Sequence, residues 1–258
     1  MSLLADQCRP VAVVTGYWPP TNEMLRPWSE HPLQNPDGWQ GDNWRGLGYD
    51  VFAYFPEFPP DGDPTNDKIG DPGSVGSPDF DFQVDYQATS RDFWRIMDAK
   101  QPRVLITTSR GGDIGWELEA VEGGHGQPTD WASDKWGQVK YPLADSVDPR
   151  TTNLLQTHAN SRLESGLPLQ SIARVSEAKG LAQVAIDHNT SGNYLSGFMG
   201  LHGLHFHYSE PQNVAAGHIH VGRHVKPEVA RALFEVTLET VLKAHPPKCS
   251  ESVTAKME

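Results

Sequence analysis

Short runs of β-branched and aromatic residues alternate along this chain with segments of helical period, and this alternation constrains the fold more than any other feature. Residues 11–17, 49–55, 103–108, 182–187 and 216–221 are apolar runs of the length and composition of buried strands. Between the later runs lie helical patterns. Phe93, Ile96 and Met97 have i, i+3, i+4 spacing behind Thr89 and Ser90 as candidate caps. Leu169, Ile172, Ala173 and Ser176 repeat it until Gly180 stops the segment, and Leu195, Phe198, Met199 and His202 do so again. A long helix carrying Val229, Ala232, Leu233, Val236 and Leu242 opens at Pro227 and Glu228. Strands joined through helices pair in parallel, and the helices then cover both faces of the sheet. The expected fold is a single three-layer α/β/α domain over residues 1–258, with a mostly parallel twisted sheet.

All eight tryptophans fall between Trp18 and Trp136, and the first half is rich in loops. That shift alone would suit two domains, but the alternation runs through it. The Pro-rich stretch near 56–83 and the segment near 131–157 read as insertions, and 246–258 as a flexible tail. The net charge of −12 includes no Lys/Arg stripe, which argues against binding to a phosphate backbone. No apolar run approaches the ~20 residues of a membrane span, and the N-terminus lacks the charged start and apolar core of a signal peptide. Two cysteines, Cys8 and Cys249, are too few to staple a chain of 258 residues. The expectation is a cytoplasmic, reduced protein without nucleic-acid or membrane partners.

Reactive side chains collect where strands end in such sheets, and three junctions carry them here. In Asp187-His188-Asn189-Thr190-Ser191-Gly192-Asn193-Tyr194-Leu195-Ser196, a strand passes through small residues into a helix. A nucleophile at Ser196 would sit in the positive end of the helix field, with amides nearby to receive an oxyanion. On pattern alone, Thr190 or Ser191 as a helix cap and Ser196 as an ordinary helical residue is the simpler interpretation. In Ala216-Gly217-His218-Ile219-His220-Val221, period-2 alternation places His218 and His220 on one face, as a general base or as a satisfied buried histidine. In Ser109-Arg110-Gly111-Gly112-Asp113-Ile114-Gly115-Trp116-Glu117, glycines after a strand admit a ligand, and a carboxylate beyond them could orient a histidine. By itself Glu117 suits a surface helix.

Taken in order, four segments resemble the pyroglutamyl peptidase I (pyrrolidone-carboxylate peptidase) family. They are Val13-Val14-Thr15-Gly16-Tyr17-x-Pro19, Ile114-x-x-Glu117-x-x-Ala120, Asn189-Thr190-Ser191-Gly192-x-Tyr194-Leu195-Ser196 and Ala216-Gly217-x-Ile219-His220-Val221. Leu167-Pro168-Leu169 before a helix and His205 after the nucleophile helix add to the likeness. The resemblance implies a cytosolic peptidase or amidase of phosphorylase/hydrolase-like α/β/α fold, with no cofactor and no metal. It acts on a small-molecule or peptide substrate and often forms homo-oligomers. It implies catalytic roles for Ser196, His220 and Glu117, and substrate contacts from Gly16, Tyr17, Trp18, Tyr194 and Leu195, with the Gly16 loop helping to hold the oxyanion.

The chain departs from the family pattern at informative places. Ser196 stands where the family has its nucleophilic cysteine, and a hydroxyl must be deprotonated during attack whereas a thiol ionises readily. Trp18-Pro19-Pro20-Thr21-Asn22 replaces the usual Pro-Phe-Gly-Gly, and Glu122 replaces an asparagine. Three readings therefore stand side by side. The first is an amide hydrolase of a pyroglutamyl-like or other small acyl group. The second is a non-catalytic small-ligand-binding relative, or an engineered Cys→Ser trap. The third is a metal-dependent enzyme built on His202, His205, His207, His218, His220 and His224, with His205/His207 and His218/His220 as same-face strand pairs.

Overall fold

A computed structural model describes residues 9–57, 80–133 and 141–247. Most of the expected insertion near 56–83, the tail beyond Pro247, both cysteines and Trp136 lie outside these residues. Seven strands are described: β1 (Val11–Thr15), β2 (Asp50–Tyr54), β3 (Val104–Arg110), β4 (Trp116–Gly123), β5 (Arg162–Glu164), β6 (Val184–Thr190) and β7 (Ala215–Val221). The six α-helices of the described residues are α1 (Thr21–Leu25), α2 (Tyr86–Lys100), α3 (Pro149–Thr157), α4 (Leu169–Glu177), α5 (Leu195–Ser209) and α6 (Pro227–Ala244). They form a single α/β domain around one mixed, mostly parallel sheet.

The strand order is β2-β1-β3-β7-β4-β5, with β6 on the other edge of β4. β1, β2, β3 and β7 pair in parallel, as do β4 and β6, whereas β4 runs antiparallel to β7 and β5. Two apolar layers follow from the period-2 alternation of the strands. On one face Val14, Ile106, Trp116, Leu118 and Ile219 pack against Phe234, Leu238 and Ile172 from α6 and α4. On the other, Val13, Leu105 and Ala216 pack against Phe93, Phe198 and Leu201 from α2 and α5. Among the described residues no helix is long and apolar enough to cross a membrane.

The five expected strands are present within a few residues, and the structure adds β4 and β5. β4 was hidden because Glu117 and Glu119 suit a helix by propensity, yet Trp-Glu-Leu-Glu alternates strictly between buried apolar and polar positions. The helix expected behind Thr89 and Ser90 starts earlier. Asp85 caps α2, accepting from the Gln87 and Ala88 amides at 2.7 and 2.9 Å. Thr89 and Ser90 are buried helix-interior hydroxyls, bonded to Tyr17 Oη and to Thr151 Oγ1. The buried stripe of α6 is Ala230, Leu233, Phe234, Thr237, Leu238, Val241 and Leu242, displaced from the expected stripe because Phe234 is wedged beside Trp28 and Trp116. Trp28, Trp44, Trp94, Trp116 and Trp131 are all buried, so most of the tryptophan-rich half is core.

Candidate active site

A cleft of about 690 Å³ opens where β3 and β7 end and β4 begins. The strand pattern explains why polar groups gather there. Thr107 and Ser109 on β3, His218 and His220 on β7, and Glu117 and Glu119 on β4 continue the alternation of the α2/α5 face beyond its apolar part. Helix α5 then begins at the same rim, with Ser196 in its first turn.

His218 and His220 differ sharply despite sharing a face. His218 is fully buried, with Nδ1 at 2.8 Å from Thr107 Oγ1 and Nε2 at 3.0 Å from Ser109 Oγ. Both ring nitrogens are satisfied, and burial pushes its pKa well below the usual histidine value, so it is a neutral structural group. His220 lines the cleft, and its Nδ1 is 2.6 Å from Glu119 Oε1. A carboxylate on Nδ1 fixes the tautomer and leaves Nε2 as the nitrogen available for proton transfer. Gly111 permits this placement, because a Cβ there would lie 2.7 Å from His220 Cβ.

Glu117, expected to orient the histidine, does not make this bond. It lies directly across the antiparallel pair from His220 and lines the cleft, whereas the ring turns toward Glu119, two residues along the same face. Glu119 is the more deeply buried of the two, and burial raises both carboxyls above the ordinary Glu value, with Asp187 pushing each the same way. Glu119 was legible once β4 is seen as a strand, since i and i+2 share a face.

Ser196, Tyr194 and Leu195 line the cleft as expected. The first-turn amides of a helix have no intrahelical acceptor, and no side chain caps α5, so its start offers donors to a developing oxyanion. Ser196 Oγ makes no hydrogen bond to His220, and the two open onto one cleft. The loop before α5 is tied to β4 through Ser191, whose hydroxyl donates to Glu122 Oε2. Glu122 is completely buried, and that burial holds its carboxyl toward the neutral form. Gly192, at φ +86, supplies the left-handed turn of this loop.

The first loop is arranged differently from expectation. The Gly16 amide donates to Tyr54 O at 3.1 Å, and the Tyr17 and Trp18 amides both donate to Thr21 Oγ1 at 3.2 Å. These donors are therefore committed to the β1–α1 turn, and the Gly16 loop has none left for an oxyanion. Tyr17 reaches the cleft as a buried wall with its hydroxyl bonded to Thr89, while Trp18 is only half-buried. Arg110, Asp187 and Ser109 also line the cleft; they open two of the junction segments, but nothing in the residue pattern gave them a role.

The histidine-rich stretch does not converge. His205 and His207 lie on α5 rather than on a strand. His202 bonds Thr151 and Phe198 O and is pushed down to about 4 by burial, His205 bonds His158, and His207 bonds Asn213. Among the described residues, one group has metal-ligand geometry: Glu117, Glu119 and His220, whose ligand atoms lie within 4.8 Å of one another.

No family model matches the chain, and no curated protein matches it by sequence. Solved structures do. A mutant pyrrolidone carboxyl peptidase from P. furiosus superposes with a TM-score of 0.60 at 15% identity, covering 90% of this chain and 98% of that one. A second mutant of that enzyme, from the hyperthermophile Pyrococcus furiosus, gives 0.59 at 14% identity, covering 91% and 99%. The structures of that peptidase and its Cys-free mutant give 0.59 at 14%, again covering 91% and 99%. This likeness establishes the fold, which is that of the pyrrolidone carboxyl peptidases over nearly the whole chain.

Proposed function

We propose that this chain hydrolyses an amide bond of a small acyl substrate in the β3–β7–β4 cleft. The observation that carries the reading is the 2.6 Å His220–Glu119 bond on the wall of a cleft that Ser196 enters from the first turn of α5. Ser196 Oγ attacks the carbonyl as its proton passes to His220 Nε2, and Glu119 holds the ring and stabilises the imidazolium. The oxyanion is received by the amides opening α5, whose dipole favours negative charge there. His220 returns the proton to the leaving amine, and water then resolves the acyl-serine by the same route. The peptidase fold supports this reading, and the His220–Glu119 bond favours Glu119 over Glu117 in the orienting role. Substrate walls come from Trp18, Tyr194 and Leu195.

Covalent labelling tests the nucleophile. A fluorophosphonate probe is expected to add one mass label to Ser196, located by peptide mass spectrometry, and the label is expected to vanish in His220→Ala. A folded protein that is not labelled at all, or is labelled equally without His220, would sink the assignment. Such a result would favour the non-catalytic ligand-binding alternative.

A second reading is favoured by one observation: Glu119 Oε2 is buried without a hydrogen-bond partner beside Glu117 and His220. Two carboxylates and an imidazole suit a divalent cation such as zinc or manganese, which would supply Lewis-acid polarisation of the carbonyl. Under this reading, equilibrium dialysis recovers about one equivalent of Zn²⁺ or Mn²⁺ per chain, and Glu117→Gln weakens retention at least tenfold. Retention of less than a tenth of an equivalent at micromolar metal removes this reading and leaves the first.

A further inference from the structure

Arg110 closes β3 at the edge of the cleft, half-buried, with its guanidinium carbon 5.6 Å from the centre of the Trp18 ring. No carboxylate of the described residues lies within ion-pair distance of it. Its neighbour Arg223 already has an acid, Asp113, at 3.0 Å. Arg110 is the only Arg or Lys among the described residues lining this cleft, and the acids lining it are Glu117, Glu119 and Asp187. None of these acids pairs with it. Burial and the charge of Arg223 both weaken its hold on its proton, but a guanidinium stays charged in proteins. The cleft thus presents a permanent, unpaired cation held against an aromatic ring, apart from the His220–Glu119 pair.

An unpaired charge withdrawn from water is costly, and an anion arriving beside it recovers much of that cost. The flat guanidinium offers paired N–H donors that match a carboxylate, and stacking on Trp18 limits the conformations it must lose to do so. Glu117, Glu119 and Asp187 repel an anion elsewhere in the cleft, so a charged substrate is oriented as well as attracted. We propose that Arg110, backed by Trp18, is an anion subsite of this cleft, and that the amide cleaved here carries a carboxylate. The reaction rests on the hydrolase reading above, whereas the subsite itself does not. A pyroglutamyl ring is a neutral lactam, so this assignment sets the cleft apart from one made for that group.

The experiment uses a matched pair, glutaryl p-nitroanilide and its neutral carboxamide analogue, with glutarate and glutaramide as non-reacting counterparts for calorimetry. The wild-type chain is expected to prefer the acid in kcat/KM by about 10- to 100-fold, the range of charge-assisted hydrogen bonds. Raising salt should narrow the preference. Arg110→Gln should bring the acid-to-neutral ratio close to one, and Arg110→Lys should retain part of it as a point charge. Glutarate should bind at least tenfold more weakly to Arg110→Gln than to wild type, with thermal melting confirming that both variants are folded. Arg110-dependent glutarate binding without turnover of either anilide would uphold the subsite and remove the hydrolase reading. Turnover with no preference for the acid, or glutarate binding indifferent to Arg110, would overturn the subsite.

Discussion

Replacing His220 with alanine is expected to lower kcat/KM for the proposed amide hydrolysis by about 10³-fold or more, with Ser196→Ala comparable, because the proposed base and nucleophile act as one unit. The more discriminating comparison is between the two glutamates of β4. Glu119→Gln keeps the shape but offers Nδ1 an amide in place of a carboxylate, which removes the charge that stabilises the imidazolium and allows the wrong tautomer. A loss of about 10²- to 10⁴-fold is expected. Glu117→Gln, which makes no hydrogen bond to His220, should cost less than about tenfold by the same scale. Steady-state kinetics on the two glutamate variants decides the matter, and a Glu117→Gln loss exceeding that of Glu119→Gln would return the orienting role to Glu117. The two carboxyls also tie the site to stability. Burial raises Glu119, so the folded chain binds its proton more tightly than the unfolded chain does. Stability from this group therefore falls as pH rises from the ordinary Glu value through the raised one, and Glu119→Gln should flatten that decline in melting temperature.

The second large effect concerns the strand that carries those glutamates. Trp116→Ala is expected to cost about 3–5 kcal/mol in urea unfolding, the range for deleting a large buried aromatic. Trp116 is fully buried on the face opposite Glu117 and meets Phe234 of α6 edge-on at 6.5 Å between ring centres. Its Nε1 is buried without a hydrogen-bond partner, so Trp116→Phe sheds an unsatisfied donor as it loses volume, and about 1.5 kcal/mol or less is expected. Because Trp116 and Glu117 are adjacent on one strand, loosening the first should also disturb the second, and activity in Trp116→Ala should fall further than the unfolded fraction explains. An alanine cost below 1 kcal/mol would mean that this side chain is not part of the core.

The fold was largely legible because a parallel sheet writes itself as continuous apolar runs, and β1, β2, β3, β6 and β7 do so. β4 was not, since its antiparallel course and its acidic face give it the composition of a surface helix. The site followed the same division. Ser196 and His220 were visible as residue types at strand and helix junctions, whereas Glu119 depended on recognising β4. Arg110 depended on knowing that Trp18 would stack beside it while the acids of the cleft stayed out of reach. The Gly16 expectation failed for a local reason: the Thr21 hydroxyl and Tyr54 carbonyl take the loop's amides, and no spacing rule signals that competition.

The position of β7 has a consequence for how the molecule is made. It is the final strand of the described chain, yet it sits in the middle of the sheet, between β3 and β4. During synthesis, everything before residue 215 can build only two separate pieces, β2-β1-β3 and β4 with β5 and β6, each presenting a bare strand edge to the other. β7 is the zip that closes them, and it brings His220 with it. The nascent chain therefore carries two adhesive edges until nearly all of it has emerged, the stage at which chaperone dependence and misassembly should concentrate. The His220–Glu119 pair, separated by 101 positions, comes into being with the closing of the sheet itself.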